Sequence, residues 1–172
     1  LEVDQHPRNA LIFSVPLGLT LASILGLVPI HGAGLVITWL ACAIWFWFMW
    51  VTHWKRNAPD GGAWAKWDWR LRYALIALAV GSGLLSLLTG KPFATPWLAW
   101  KVILLGGVMC AGIGIRFYIR KSYEAWPRIW AEKPEPGDEA FVRKSLWQGT
   151  YVLWSLWTML IIIGWLGAAK PG

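Results

Sequence analysis

Charge is what this sequence is poorest in. Asp, Glu, Lys and Arg make up 15% of its 172 residues, against about 25% in an ordinary soluble domain. Acid is the scarcer sign, with 9 Asp and Glu against 16 Lys and Arg. None of the carboxylates falls within a long apolar run. A pump or transporter that passes protons along intramembrane carboxylates therefore has no residues for it here. Cysteine is nearly absent too. Cys42 and Cys110 form no Cys-x-x-Cys pair, so neither zinc nor dithiol redox chemistry is signalled, and both sit in apolar runs where packing is the ordinary role. No phosphate-cradling glycine loop, nucleophile motif or metal-ligand cluster is visible. The first residue is Leu1, not Met, which implies an incomplete or processed start. Glu2, Asp4, His6 and Arg8 do not make the basic leader of a secretory signal, and no small-residue cleavage site follows.

What is abundant is apolar surface. Hydrophobic residues are 57% of the chain, 16 residues are Trp, and the mean hydropathy is +0.48. Disorder needs the opposite composition. Five runs approach the roughly 20 residues that cross a bilayer as a helix: 10–29, 34–53, 72–89, 97–119 and 147–167. Lipid leaves no partner for open strand edges, so these runs predict helices. The expected fold is all-α, a polytopic membrane bundle of about five spans in a single domain. Only "PIHGA" joins the first two spans, which predicts a helical hairpin. In "GGAWAKWDWRLRYAL", Trp64, Trp67 and Leu71 share one helical face, and Tyr123, Trp126 and Trp130 form a similar stripe. Both patterns predict short interfacial helices in the loops. "KPEPG" breaks the second loop, and the last helix is expected to begin near Asp138, with Glu139 pairing to Arg143 one turn on.

The net charge of +7 reads as topology, not as a nucleic-acid surface. Lys55, Arg56, Lys66, Arg70 and Arg72 crowd one connection; Arg120, Lys121, Arg128, Lys133, Arg143 and Lys144 crowd another. The opposite side holds Lys91 and Lys170. The excess of Lys and Arg predicts that both basic loops are cytoplasmic, with the amino end inside, the carboxyl end outside and a bacterial inner membrane as the location.

Small residues at four-residue spacing predict where helices meet, because lipid gives helices little hydrophobic reason to associate. Ser14, Gly18, Ala22 and Gly26 form one such stripe; Gly106, Cys110 and Gly114 form another. Ala77, Gly81 and Gly83 mark the third span. Pro16 is expected to kink the first.

Few residues carry candidate chemistry. Lys101 is the charged residue inside an apolar run, which is a functional signal by default; the competing reading is a lysine that reaches to the outer headgroups. Arg116 suits a headgroup anchor. His31 and His53 stand 22 residues apart, about 33 Å along a helix, so they cannot share one haem. His53, beside Trp50 and Trp54, suits either a single ligand or proton carrier, or an interfacial residue facing headgroups. His6 has no distinguishing context. The run "WFWFMW" at 45–50, with Trp54, offers a surface to a quinone, pigment or sterol, and equally suits an aromatic belt.

At "PWLAWKVILLGGVMCAGIGIR" (96–116), preceded by "RLRYALIALAVGSGLLSLLTG", the chain resembles a loose superfamily of small bacterial membrane proteins. That superfamily includes the copper-resistance D membrane domain, the membrane-bound protoporphyrinogen oxidase of haem synthesis and uncharacterised relatives. The resemblance covers roughly residues 34–167. On it, Lys101 matches a helix-start lysine, and His53 in "FMWVTHW" matches a histidine ending an earlier helix. The haem-pathway members carry another histidine near the start of that helix. Here "GLVITWLA" is apolar or small, a departure that counts against haem binding and oxidase activity. The uncharacterised branch is the nearest in appearance.

The expected function is a non-catalytic subunit or scaffold of a membrane complex. It would bind lipid and a membrane-protein partner but no nucleic acid. The alternative is a redox protein linked to haem, copper or quinone, using His53, Lys101, Trp50 and Trp54.

Overall fold

The structure is a computed structural model that describes residues 5–55, 58–93, 95–123, 125–131 and 135–170. Arg56 and Lys133, two of the loop cations from which the orientation is expected, lie outside them, as do Glu2, Asp4 and the first half of "KPEPG". The described chain is helical: α1 Gln5–Ile24, α2 Ala33–Trp54, α3 Gly61–Thr89, α4 Pro96–Ser122, α5 Trp126–Trp130 and α6 Asp138–Ala169. Four of these, α2, α3, α4 and α6, are long and apolar enough to cross a membrane.

The expected first span, 10–29, is corrected. The helix starts earlier and stops at Ile24, and its apolar part, Arg8–Ile24, is shorter than the other four. Gly26 stops it, with φ of +69°. The Gly26 amide bonds the Ser23 carbonyl at 3.0 Å, and the Leu27 amide bonds the Ala22 carbonyl at 2.8 Å. That pair of bonds is a Schellman turn, in which a glycine takes the left-handed position other residues avoid. Gly26 therefore lies past the helix and leaves the small-residue stripe assigned to it. Ser14 and Gly18 are exposed; Ala22 is buried. The face of α1 that turns inward runs through Ile12, Pro16, Ala22 and Ser23. The helix continues through Pro16.

The interfacial helix expected before the third span is not separate from it. Residues 61–89 form one helix, because no proline or glycine interrupts it between Ala63 and Val80. At 29 residues it is about 43 Å long, more than the hydrocarbon core requires. Likewise α6 begins at Asp138, where expected, and runs 32 residues without a break.

The chain divides into two compact units. The first holds α1, α2, the first half of α3 and the turn from α3 to α4. Here Phe13 of α1 meets Phe46 of α2 with centroids 5.3 Å apart. The Trp39 indole N–H donates to Thr20 Oγ1 at 3.2 Å, giving a mid-span polar group a partner. Trp45 and Met49 of α2 are buried. Two serines tie helix ends to the turns that follow. Ser23 donates to the Ile30 carbonyl, and Ser86 to the Phe93 carbonyl at 3.0 Å. Each acceptor is seven residues on and directly follows a proline.

The second unit holds residues 76–84 of α3 with α4, α5 and α6. Two glycines there make reciprocal notches. A methyl built on Gly106 would lie 2.7 Å from Val80 Cγ2, and one on Gly83 would lie 2.5 Å from Ile103 Cγ1. Val80 thus fills the space over Gly106 while Ile103 fills that over Gly83, an antiparallel exchange of knobs and holes. Farther along α4, Gly107 faces Met159 and Gly114 faces Val152, both on α6. The small-residue face of α4 is a contact face at Gly106 and Gly114, while Cys110 between them is exposed. On α3 the contact glycine is Gly83; Gly81 faces open space.

Candidate functional site

His53 and Trp54 lie three and four residues after Trp50, so α2 sets both beside it near its basic end. The His53 ring stands edge-on to Trp50 at 5.9 Å and 81°. Trp50 meets Trp54 at 5.7 Å and Phe46 at 6.2 Å. With Phe13 behind Phe46, the result is a continuous aromatic wall on α1 and α2. It opens to the surroundings at Trp54, which is 72% exposed. His6 is exposed near the start of α1.

A polar group adjoins this end. The Lys55 ammonium pairs with Asp60 and lies 5.1 Å from the centre of the Trp64 ring. The Trp64 indole N–H donates to Asp60 Oδ2 at 3.0 Å, and the Trp64 ring meets Phe48 at a tilt of 47°, with centroids 5.4 Å apart. The Lys55 bond, and then the Trp64 bond, hold the Asp60 carboxyl below its ordinary range. Nearby Asp68 is buried and takes a bidentate Arg72 at 2.9 and 3.1 Å, on α3. These ties fix the entry of α3.

Lys101 belongs to the second unit, His53 to the first. The Lys101 ammonium lies 5.8 Å from the Trp97 ring centre. It also occupies the space over Gly167, 2.7 Å from where a methyl would stand. That puts its charge beside the last turn of α6, where the helix dipole is negative. The structure therefore gives Lys101 a partner set made of one indole face and one helix end.

A second pair went unnoticed in the sequence. Ser23 is buried, and its Oγ lies 2.9 Å from His31 Nδ1. The Ser23 hydroxyl has one proton, and it goes to the Ile30 carbonyl, which can only accept. His31 Nδ1 must then be the donor to Ser23 Oγ. A histidine that donates to a serine does not act as its base, so the pair locks the turn and does not activate a nucleophile.

At the start of α6 the Arg128 guanidinium clamps the Asp138 carboxylate at 2.9 and 2.6 Å. The Glu135 amide adds a bond to Asp138 Oδ2 at 3.0 Å. Arg128 first, and that amide second, hold the Asp138 carboxyl down at about 2. Asp138 is outside the apolar stretch of its helix. Beside it, an open depression of about 820 Å³ is lined by Glu135, Glu139, Arg143, Lys144 and Trp147 among others. The expected Glu139–Arg143 ion pair is not among the pairs formed by the described residues, because both side chains turn to solvent at the rim of this depression.

Among the described residues no three of His, Cys, Asp or Glu converge to hold a metal ion. His31 precedes α2 and His53 lies in its last turn. A haem held by two ligands from α2 does not fit these residues. No protein-family model matches this chain, and neither the curated proteins nor the solved structures contain a match to it.

Proposed function

We propose that this protein is a non-catalytic subunit or scaffold of a membrane complex. It lies in a bacterial inner membrane with its basic loops in the cytoplasm, and with α1 crossing despite its shorter apolar part, which puts the amino end inside and the carboxyl end outside. One observation carries the reading: the outward face of α6. Trp147, Tyr151, Trp154, Ile161 and Trp165 recur at three- and four-residue steps, counting Thr158 between them, and each is more than half exposed. Trp usually gathers at membrane interfaces. Trp154 instead sits well inside the apolar stretch, 69% exposed. A ladder of large flat side chains at that spacing suits a second helix lying along it. The geometry of Ser23 and His31, and of Lys101, is that of turn and helix-end fasteners, which fits a scaffold.

The test is mild extraction followed by a blue-native gel. The expected result is migration above the monomer with a co-purifying protein. Migration as a monomer alone contradicts the proposal.

A second reading has one observation in its favour. His53 stands edge-on to Trp50 within an aromatic wall, which suits a redox protein linked to haem, copper or quinone, in keeping with the resemblance to haem- and copper-related membrane proteins. An absorption spectrum and metal analysis of purified protein decide it. A Soret band lost in His53→Ala supports this reading, and a colourless, metal-free protein with no quinone in its organic extract removes it.

A further inference from the structure

The depression at the start of α6 has an axial order. At 1.5 Å per residue, 20 residues counted back from Ala169 span the roughly 30 Å hydrocarbon core and reach about Thr150. The remaining turns of α6 therefore stand in the headgroup layer on the basic side. Trp147 lies at the boundary. Lys144 and Arg143 come one turn outward, Glu139 a further turn, and Glu135 beyond the helix start. All five line the same depression. From the hydrocarbon outward the order is thus indole, two cations, two carboxylates.

Asp138 takes no part, since Arg128 and the Glu135 amide occupy it. Its role is to hold the Glu135 backbone at the rim. The four rim charges make no ion pair with one another. A wholly anionic ligand would meet two carboxylates here, and a wholly cationic one would meet Arg143 and Lys144. A ligand with an inner anion and an outer ammonium meets neither repulsion.

We propose that this depression seats the headgroup of an aminophospholipid of the phosphatidylethanolamine type. Its phosphate lies against Arg143 and Lys144, its ammonium donates to Glu139 and Glu135, and its glycerol rests on Trp147. The inference rests on α6 crossing the bilayer and not on the subunit reading, so either can fail alone.

Native mass spectrometry of the full chain tests it, with phosphatidylethanolamine and phosphatidylglycerol of equal acyl length added in competition. The wild type is expected to retain the ethanolamine lipid about tenfold over the glycerol lipid, the factor one charge-assisted contact supplies. Glu135→Gln with Glu139→Gln should erase that preference, while Arg143→Gln with Lys144→Gln should weaken retention of both lipids. All four positions are exposed, so the variants keep their packing. Equal retention by the wild type, a preference for phosphatidylglycerol, or a preference unchanged by the carboxylate substitutions would overturn the proposal.

Discussion

Single residues here act mainly as fasteners, and two of them can be tested one at a time. Gly26 holds φ of +69° in the turn that ends α1. Gly26→Ala should cost roughly 1–2 kcal/mol, the penalty for a side chain in the left-handed region, read as a lowered unfolding midpoint in detergent. Asp138 gives a pH signature. Its folded value of about 2 is below the ordinary carboxyl value of 3.8. The contribution of the Arg128 pair is therefore complete above about pH 4 and is lost as pH falls through about 2. Carbon NMR of the Asp138 carboxyl should show that low midpoint in the wild type and a rise toward the ordinary value in Arg128→Ala. An unshifted midpoint in the wild type would dissolve the clamp. His31 and Ser23 are legible only in three dimensions, because a serine and a histidine eight residues apart signal nothing until the turn between them closes.

Among the helices, notches decide the packing. Gly106 receives Val80 and Gly83 receives Ile103. Gly106→Leu should destabilise by about 1–3 kcal/mol through overpacking, and Val80→Ala should recover part of the loss, a coupling that a double-mutant cycle measures. Gly18 is the control. A methyl there meets nothing within 4 Å, so Gly18→Ala should be neutral or stabilising by up to about 1 kcal/mol. Equal losses at both glycines would contradict the notches. On α4 the small-residue stripe meets neighbouring side chains at Gly106 and Gly114 but not at Cys110, and on α1 only Ala22 of the stripe is buried. Four-residue spacing names a stripe but not its direction, and Ile12 and Pro16, not Ser14 and Gly18, turn inward. Span lengths were legible for α2 and α4, where turn residues flank the apolar runs. They were misread at α1, where Gly26 sits inside the apolar run and ends the helix before the hydrophobicity does.

For the whole molecule, composition pointed to a membrane, and the structure bears this out with four helices long and apolar enough to cross one. The proposed orientation, with the basic loops inside, is open to labelling. With Cys42 and Cys110 replaced, single cysteines at Lys66 and Lys144 should react from the same side, and those at His31 and Lys170 from the other. The function was less legible than the fold. Exposed aromatic residues in a span have no sequence mark that separates a lipid face from a partner face, and only the folded chain shows that α6 leaves Trp154 outward. Photo-crosslinking in intact cells tests the subunit reading most directly, with a reactive amino acid placed at Trp154, at Ile161 and, as an inward control, at the buried Leu166. The expected result is one discrete protein adduct of the same size from Trp154 and Ile161 and none from Leu166. Lipid adducts alone at Trp154 and Ile161, with no protein adduct, would contradict it.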